Sequence, residues 1–302
     1  MTHLPVHRFD RQIVEHLHDF KGRVARVYKQ AAIIRPADQG PLITLLHSGQ
    51  DLVPYGIGIP WGLVRPAVDQ QVSINGRKLT LWVSPFIKRG LLLEGAGINL
   101  CIDQICKNLD QAACRQELAG IHLPVRTRDL LDPEKVVGHG IQPDIVRAAG
   151  RRLRKLIKRL CCKTEMCGPF SPIISGLAGL GPGSTPSGDD LLLGVAAAAY
   201  YMTSAGLIPR RNLIKYLTAL DELPADASTE AGREMIAHAV QGAFPEPLLR
   251  FVVCLGQYKE NKSKVSWEAT RLTRIGKHSG CDMLAGAFAL ASLATSVQGA
   301  PA

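Results

Sequence analysis

The chain has 302 residues and no apolar run long enough to cross a bilayer. Its longest apolar runs follow Asp190 and Asp282. Each lasts about a dozen residues, against the roughly 20 that a spanning helix needs. An apolar signal core is also missing, because Met1-Thr2-His3-Leu4-Pro5-Val6-His7-Arg8 runs straight into charged residues. The expectation is a cytoplasmic protein with no membrane role. The tight cluster Cys161, Cys162 and Cys167 has no matching CxxC partner and no nearby His, so its spacing indicates no zinc site. All eight cysteines are expected to be reduced. One loop is dense in Gly and Pro but lacks the Gly-Lys-Ser/Thr ending of a P-loop, so ordinary NTPase chemistry is not indicated.

Acidic residues are missing from residues 151–163. Arg151, Arg152, Arg154, Lys155, Lys158, Arg159 and Lys163 place seven positive charges there, leaving only +3 of the net +10 for the rest of the chain. Leu153, Leu156, Ile157 and Leu160 form an apolar stripe at helical spacing, so the segment reads as one basic helix docked on its apolar side. Aromatics are absent from it, whereas a nucleic-acid surface usually interleaves them with its cations. Nucleic acid is therefore not the expected partner, although a contact with an acidic partner subunit suits the basic face.

The hydrophobic fraction of 46% and charged fraction of 21% are those of a globular protein with a sizeable core. Residues 22–100 read as short strands. Val24–Tyr28 alternates, Leu42–His47 is a short apolar run, and Gln71–Ile74 and Arg77–Val83 flank an Asn75-Gly76 turn. Pro54, Gly56, Gly58 and Pro60 break up the middle. Helix signals follow from Asp103 to Leu118, and Asp132-Pro133-Glu134 is a helix start. Further helices are expected from Asn212 to Leu220, from Ala227 towards Gln241, and from Pro245 through Leu255. The expected fold is α+β. A β-rich, barrel- or sandwich-like domain covers 1–100, a helical connection covers 101–150, and an α-helical domain covers 151–302.

Two stretches 92 positions apart share the pattern Ser-Gly-x-Asp-x-Leu-x-Gly. One is Ser187-Gly188-Asp189-Asp190-Leu191-Leu192-Leu193-Gly194. The other is Ser279-Gly280-Cys281-Asp282-Met283-Leu284-Ala285-Gly286. In each, Ser stands where an N-cap belongs and Asp follows at capping-box spacing, in place of the usual Glu or Gln. That account needs no ligand. It leaves over the loop Gly179–Pro186, Asp189, and Lys277-His278. Only one of the adjacent Asp189 and Asp190 can cap, which leaves Asp189 to face a cleft. A helix start fed by glycines is an anion site, with Gly181, Gly183, Ser184, Thr185, Ser187, Gly188, Asp190, Lys277, Ser279 and Gly280 as the binding set. His278 is the acid–base candidate, since imidazole titrates near neutral pH. Arg233 reads first as an exposed residue and second as a carboxylate fork, and His238 reads as a packed core residue. The sequence assigns no cofactor, but Asp189, Asp190 and Asp282 could together hold Mg²⁺.

The loop Gly181-Pro182-Gly183-Ser184-Thr185-Pro186-Ser187-Gly188-Asp189-Asp190 resembles the signature of the AllH-like proteins. Gly276–Gly286, Ala239–Gly242 and Pro247–Val252 resemble further stretches of that family. The resemblance implies a subunit of the oxamate or ureidoglycine carbamoyltransferases of purine (allantoin) breakdown. Its companions would be an FdrA-like subunit and a second subunit, and its substrate a small anion such as carbamoyl phosphate. In that setting Asp189, His278 and Asp282 are the expected catalytic residues. Ser184 departs from the family's usual Leu, Lys277 intrudes before His278, and the basic helix has no counterpart in the family pattern.

Overall fold

The computed structural model describes residues 3–64, 66–82, 88–94, 96–98, 100–102, 123–136, 141–164, 168–255 and 262–296. The chain divides into two compact units, Met1–Leu100 and Cys101–Ala302. The helix expected over Asp103–Leu118 lies outside the described residues.

The first unit is an eight-stranded sheet. Its strands are β1 (His3–Val6), β2 (Asp19–Val27), β3 (Ala31–Pro36), β4 (Ile43–His47), β5 (Gly56–Ile59), β6 (Gln71–Asn75), β7 (Lys78–Trp82) and β8 (Lys88–Leu93), in the order β1-β8-β7-β6-β2-β3-β4-β5. The two outer pairs, β1 with β8 and β4 with β5, are parallel, and the inner pairs are antiparallel. Phe9, just beyond β1, bridges to Ile57 on β5, so the sheet nearly closes into a barrel. Alternation makes this possible: along β2, Phe20, Gly22 and Val24 face inward while Lys21 and Arg23 face out. Phe9, Ile34, Leu45, Ile57, Ile74 and Leu79 fill the interior. Each such side chain contributes about 1.5–3 kcal/mol by leaving water.

Sequence and structure part company here in two places. The turn between β6 and β7 is Gly76-Arg77, because Asn75 already pairs with Lys78. Gly76 takes φ +55, and Gly in the first turn position is what a two-residue type II′ hairpin requires. The stretch between Pro54 and Pro60 also forms a strand, β5, after all. Its glycines permit close approach, since a Cβ on Gly56 would lie 2.6 Å from the Val53 carbonyl. A short helix, α1 (Arg11–His16), is capped by Asp10, whose carboxylate also accepts the Tyr55 N–H at 2.7 Å.

The second unit is helical: α2 (Val125–Leu131), α3 (Ile141–Leu160), α4 (Ser171–Ser175), α5 (Ser187–Ser204), α6 (Arg210–Asp221), α7 (Glu230–Val240), α8 (Glu246–Leu255), α9 (Lys262–Leu272) and α10 (Ser279–Ser296). With the sheet before it, this gives the expected α+β class. Asp132-Pro133-Glu134 opens only a 3₁₀ turn, Pro133–Lys135. The basic helix starts earlier than its charges suggest, at Ile141, and ends at Leu160. Its apolar stripe of Leu153, Leu156, Ile157 and Leu160 is buried. Part of its basic face is tied down locally: Arg154 donates to the Leu131 carbonyl and to Asp132, and Arg151 pairs with Glu134. Cys162 is disulfide-bonded, which corrects the expectation that every cysteine is reduced, whereas Cys101, Cys161, Cys254 and Cys281 are free. No described helix is long and apolar enough to cross a membrane.

Candidate functional site

The centre of the helical unit is the pair α5 and α10, one carrying each copy of the repeated motif. From Ser187 to Ala199 every residue of α5 is buried. The two copies pack reciprocally. A Cβ on Gly194 would lie 2.0 Å from the Met283 carbonyl oxygen, and one on Gly286 would lie 2.3 Å from the Leu191 carbonyl oxygen. Leu191 and Met283 occupy the same position in their copies, as do Gly194 and Gly286. The first glycine of each motif does a second job. A Cβ would be 1.8 Å from the Leu177 carbonyl at Gly188 and 1.9 Å from the Leu272 carbonyl at Gly280. Backbone therefore meets backbone on two sides of each helix start, which draws both N-termini together.

The capping account fails at this point. The N-cap of α5 is Pro186 and carries no side-chain cap bond. Ser187 is already helical, and its Oγ accepts from Arg126 Nη2 at 2.7 Å. At α10 the His278 carbonyl takes the Asp282 N–H at 3.0 Å, while Ser279 Oγ shares a 3.0 Å hydrogen bond with Thr185 Oγ1. Both serines thus reach across to other segments. The first helical N–H groups are satisfied by backbone: Gly188 N donates to Leu180 O, and Asp189 N and Asp190 N to Pro186 O. The anion held by the glycine loop is an internal one. Gly179 N, at φ +70, donates to Asp189 Oδ1 at 2.8 Å, and Ser228 Oγ donates to Oδ2.

Asp189 accordingly does not stand free before a cleft. It is buried and joins the loop to the start of α7, where Thr229 caps Gly232 N at 3.0 Å. Gly232 leaves it room, since a Cβ there would fall 2.1 Å from Asp189 Oδ2. Burial raises its pKa, against the hydrogen bonds from Ser228 and Gly179.

Arg126, on α2, is the residue that spacing did not reveal. Its Nε and Nη2 hold the fully buried Asp282 through both carboxylate oxygens, at 2.5 and 2.8 Å. Burial works against the guanidinium charge, but the hydrogen bonds and charge of Asp282 outweigh it, so the Arg126 pKa is raised. Beside it Thr127 Oγ1 donates to the Cys281 carbonyl at 3.0 Å. Arg126 lies 61 residues before Ser187 and 156 before Asp282, so no local pattern links them. Arg233 is exposed, in line with the plainer of its two readings from sequence.

Asp190 is the counterpart of Asp282 in the first motif, yet its situation is opposite. It is 2% exposed, and its Oδ2 is buried without any hydrogen-bond partner. Burial pushes its pKa well above the usual carboxylate value. The charges of Asp282 and Asp189 add to the rise, and the Ser279 and Thr185 hydroxyls oppose it. Burial thus favours the neutral, proton-bearing form of Asp190. His278 is exposed at the start of α10. Its pKa is lowered, by desolvation and by the nearby charges of Arg126 and Lys277, so its imidazole is neutral near pH 7.

Of the other expected site residues, Gly183, Ser184 and Lys277 are exposed and Gly181 is half-buried. Thr185 and Ser279 meet directly, Ser187 and Asp282 meet through Arg126, and Asp190 lies beside Ser279, Thr185 and Asp282, whereas Gly188 and Gly280 pack against the Leu177 and Leu272 carbonyls. His238 is buried within α7, as its helix position suggested. Burial lowers its pKa to about 4. Among the described residues no group of three His, Cys, Asp or Glu side chains is arranged to hold a metal ion. Asp282 is held by Arg126, and Asp189 by Gly179 and Ser228.

Residues 177–291 match the family described as oxamate carbamoyltransferase subunit AllH. The match starts within the approach to the glycine loop and ends inside α10, so it spans both motifs. No solved structure gives a significant match to the chain.

Proposed function

Taking as premise that the chain is AllH-like over residues 177–291, we propose that it is a subunit of a carbamoyltransferase-type complex and that the paired helix starts form its ligand site. The observation carrying this is Asp190: a buried acid with an unpartnered oxygen, set among Thr185, Ser187, Ser279 and the Arg126–Asp282 pair. An unmade buried hydrogen bond costs about 1–3 kcal/mol, so such a group calls for an explanation, and a catalytic role or a bound ligand is one.

The chemistry follows from the groups present. In carbamoyl transfer a nitrogen of the acceptor bonds to the carbamoyl carbon. The bond from that carbon to the phosphate oxygen breaks, and phosphate leaves with the electron pair. Asp190, whose neutral form burial favours, donates to an oxygen of the donor substrate as charge develops there, while the Arg126 guanidinium supplies positive potential beside it. Neutral His278 takes the proton that the attacking nitrogen loses. Asp189 and Asp282 position the loop and Arg126. The exposed edge of the loop, Gly183 and Ser184, is where the anionic end of the substrate enters. Partner subunits, an FdrA-like one among them, complete the active complex.

The test is carbamoyl transfer from carbamoyl phosphate to oxamate by this chain together with its partner subunits. Asp190→Ala is expected to lower turnover by about 10²-fold. Asp190→Asn, which keeps a donor, should lose less. Near-wild-type turnover in both Asp190→Ala and His278→Ala, with the subunits assembled, would defeat the assignment. A non-catalytic subunit is the second reading, favoured by the saturation of Asp189 and Asp282 with internal partners.

A further inference from the structure

A groove of about 410 Å³ lies where α2 ends and α3 passes α10, lined by Leu131, Ile157, Phe288 and Ala289. Ile157 is buried, but Phe288 and Ala289 are only half-buried, so apolar surface stays open to whatever enters. Arg154 and Lys158 are its charged lining residues, and no acid lines it among the described residues.

The outer face of α3 continues that charge. Arg151, Lys155 and Lys158 are exposed and stand four and three positions apart, in one row along the helix. Like charges at such spacing weaken a helix. The helix dipole offsets this in the last turn, at Lys158 and Arg159, but not earlier, at Arg151 and Lys155. Acids on and around these helices are engaged elsewhere: Glu134 by Arg151, Asp132 by Arg154 and Lys135, Asp144 by Arg147, and Asp282 by Arg126. Lys155 and Lys158 have no ion-pair or hydrogen-bond partner among the described residues.

We infer that this groove docks an acidic, amphipathic segment of a different protein chain, with apolar side chains against Ile157, Phe288 and Ala289 and carboxylates against Lys155 and Lys158. Charge complementarity selects that occupant. A second copy of this chain is disfavoured, because a two-fold interface sets each patch against itself and would oppose the same cations. Nucleic acid would use the cations but leave Leu131, Ile157 and Ala289 without a counterpart. A membrane takes up a helix by its apolar face, and the apolar stripe of α3 is turned into the core. The inference rests on the reading of this chain as a subunit, since it needs a companion, but on none of the chemistry at Asp190.

Biolayer interferometry of the full chain against the FdrA-like subunit and against the second companion subunit tests it. One of them should bind, and more weakly as salt rises from about 50 to about 500 mM. Lys155→Glu with Lys158→Glu should weaken that complex at least about tenfold, and Phe288→Ala about tenfold. A circular-dichroism melt unchanged from wild type shows that the fold survives. The same charge change at two exposed positions on the sheet, Lys21→Glu with Arg23→Glu, should leave binding unaltered. If neither companion binds the wild-type chain, the subunit reading fails and the inference with it. If wild type binds and both groove variants bind equally well, the inference alone is overturned. An equal loss in the sheet variant would trace the effect to net charge and overturn it too. So would a wild-type dimer that the chain with Lys155→Glu and Lys158→Glu no longer forms.

Discussion

Removing Arg126 would strand a carboxylate in the interior. Asp282 is fully buried and takes both of its strong hydrogen bonds from that guanidinium. Breaking one partner of a buried pair costs about 3–5 kcal/mol, so Arg126→Leu should destabilise the helical unit by that order. The double variant Arg126→Leu, Asp282→Asn should recover part of it, since the stranded charge is gone. Urea unfolding of both variants decides the matter: equal losses would mean that the pair is not the cause. Asp10 offers a prediction of the opposite sign. Burial raises its pKa from 3.8 to about 6, despite hydrogen bonds from Tyr55 and Gln12. The unfolded chain therefore ionises first. Stability from this group is complete below pH 3.8 and declines as pH climbs to about 6, by about 3 kcal/mol in all. Asp10→Asn should flatten that decline between about pH 4 and about pH 7, and an unaltered slope would remove Asp10 as its source.

Among the elements, α5 and α10 bear the sharpest demand. Gly194→Val puts new carbons where the Met283 carbonyl already lies. Overpacking of this kind costs about 1–3 kcal/mol and occasionally more, and a helix pair meeting backbone to backbone belongs at the upper end. Gly62→Ala, with open space around it, should be neutral to within about 0.5 kcal/mol. Thermal melts compare the two directly. At this scale the sequence was readable where an element declares itself locally. The apolar runs after Asp190 and Asp282 marked α5 and α10, and alternation marked β2. It was unreadable where a distant partner overrules local preference. Ser187 and Ser279 look like caps because Ser ordinarily is one, but their hydroxyls answer to Arg126 and Thr185 instead. The strand β5 hid between two prolines because its pairing to β4 and the bridge to Phe9 come from elsewhere in the chain.

For the whole molecule the two compact units have separate cores. Hydrogen exchange on Gly194→Val should therefore show protection falling in α5 and α10 while β2 and β6 keep theirs. A matching fall in the strands would mean that the sheet depends on the helical core. Charge is also distributed by unit in a way that sequence only half revealed. The run on α3 was plain, but the juxtaposition of Arg35, Arg23 and Gln71 depends on register, which brings residues from separate strands side by side. The reciprocal glycines carry a last consequence, one for genetics. A damaging substitution at a packed side chain is commonly rescued by trimming the residue it strikes. Gly194 and Gly286 strike carbonyl oxygens of the chain itself, and no codon change at Met283 or Leu191 deletes a carbonyl. A suppressor screen begun from either position should return reversion to glycine, or shifts elsewhere along the helix pair, and no compensating change at the point of collision.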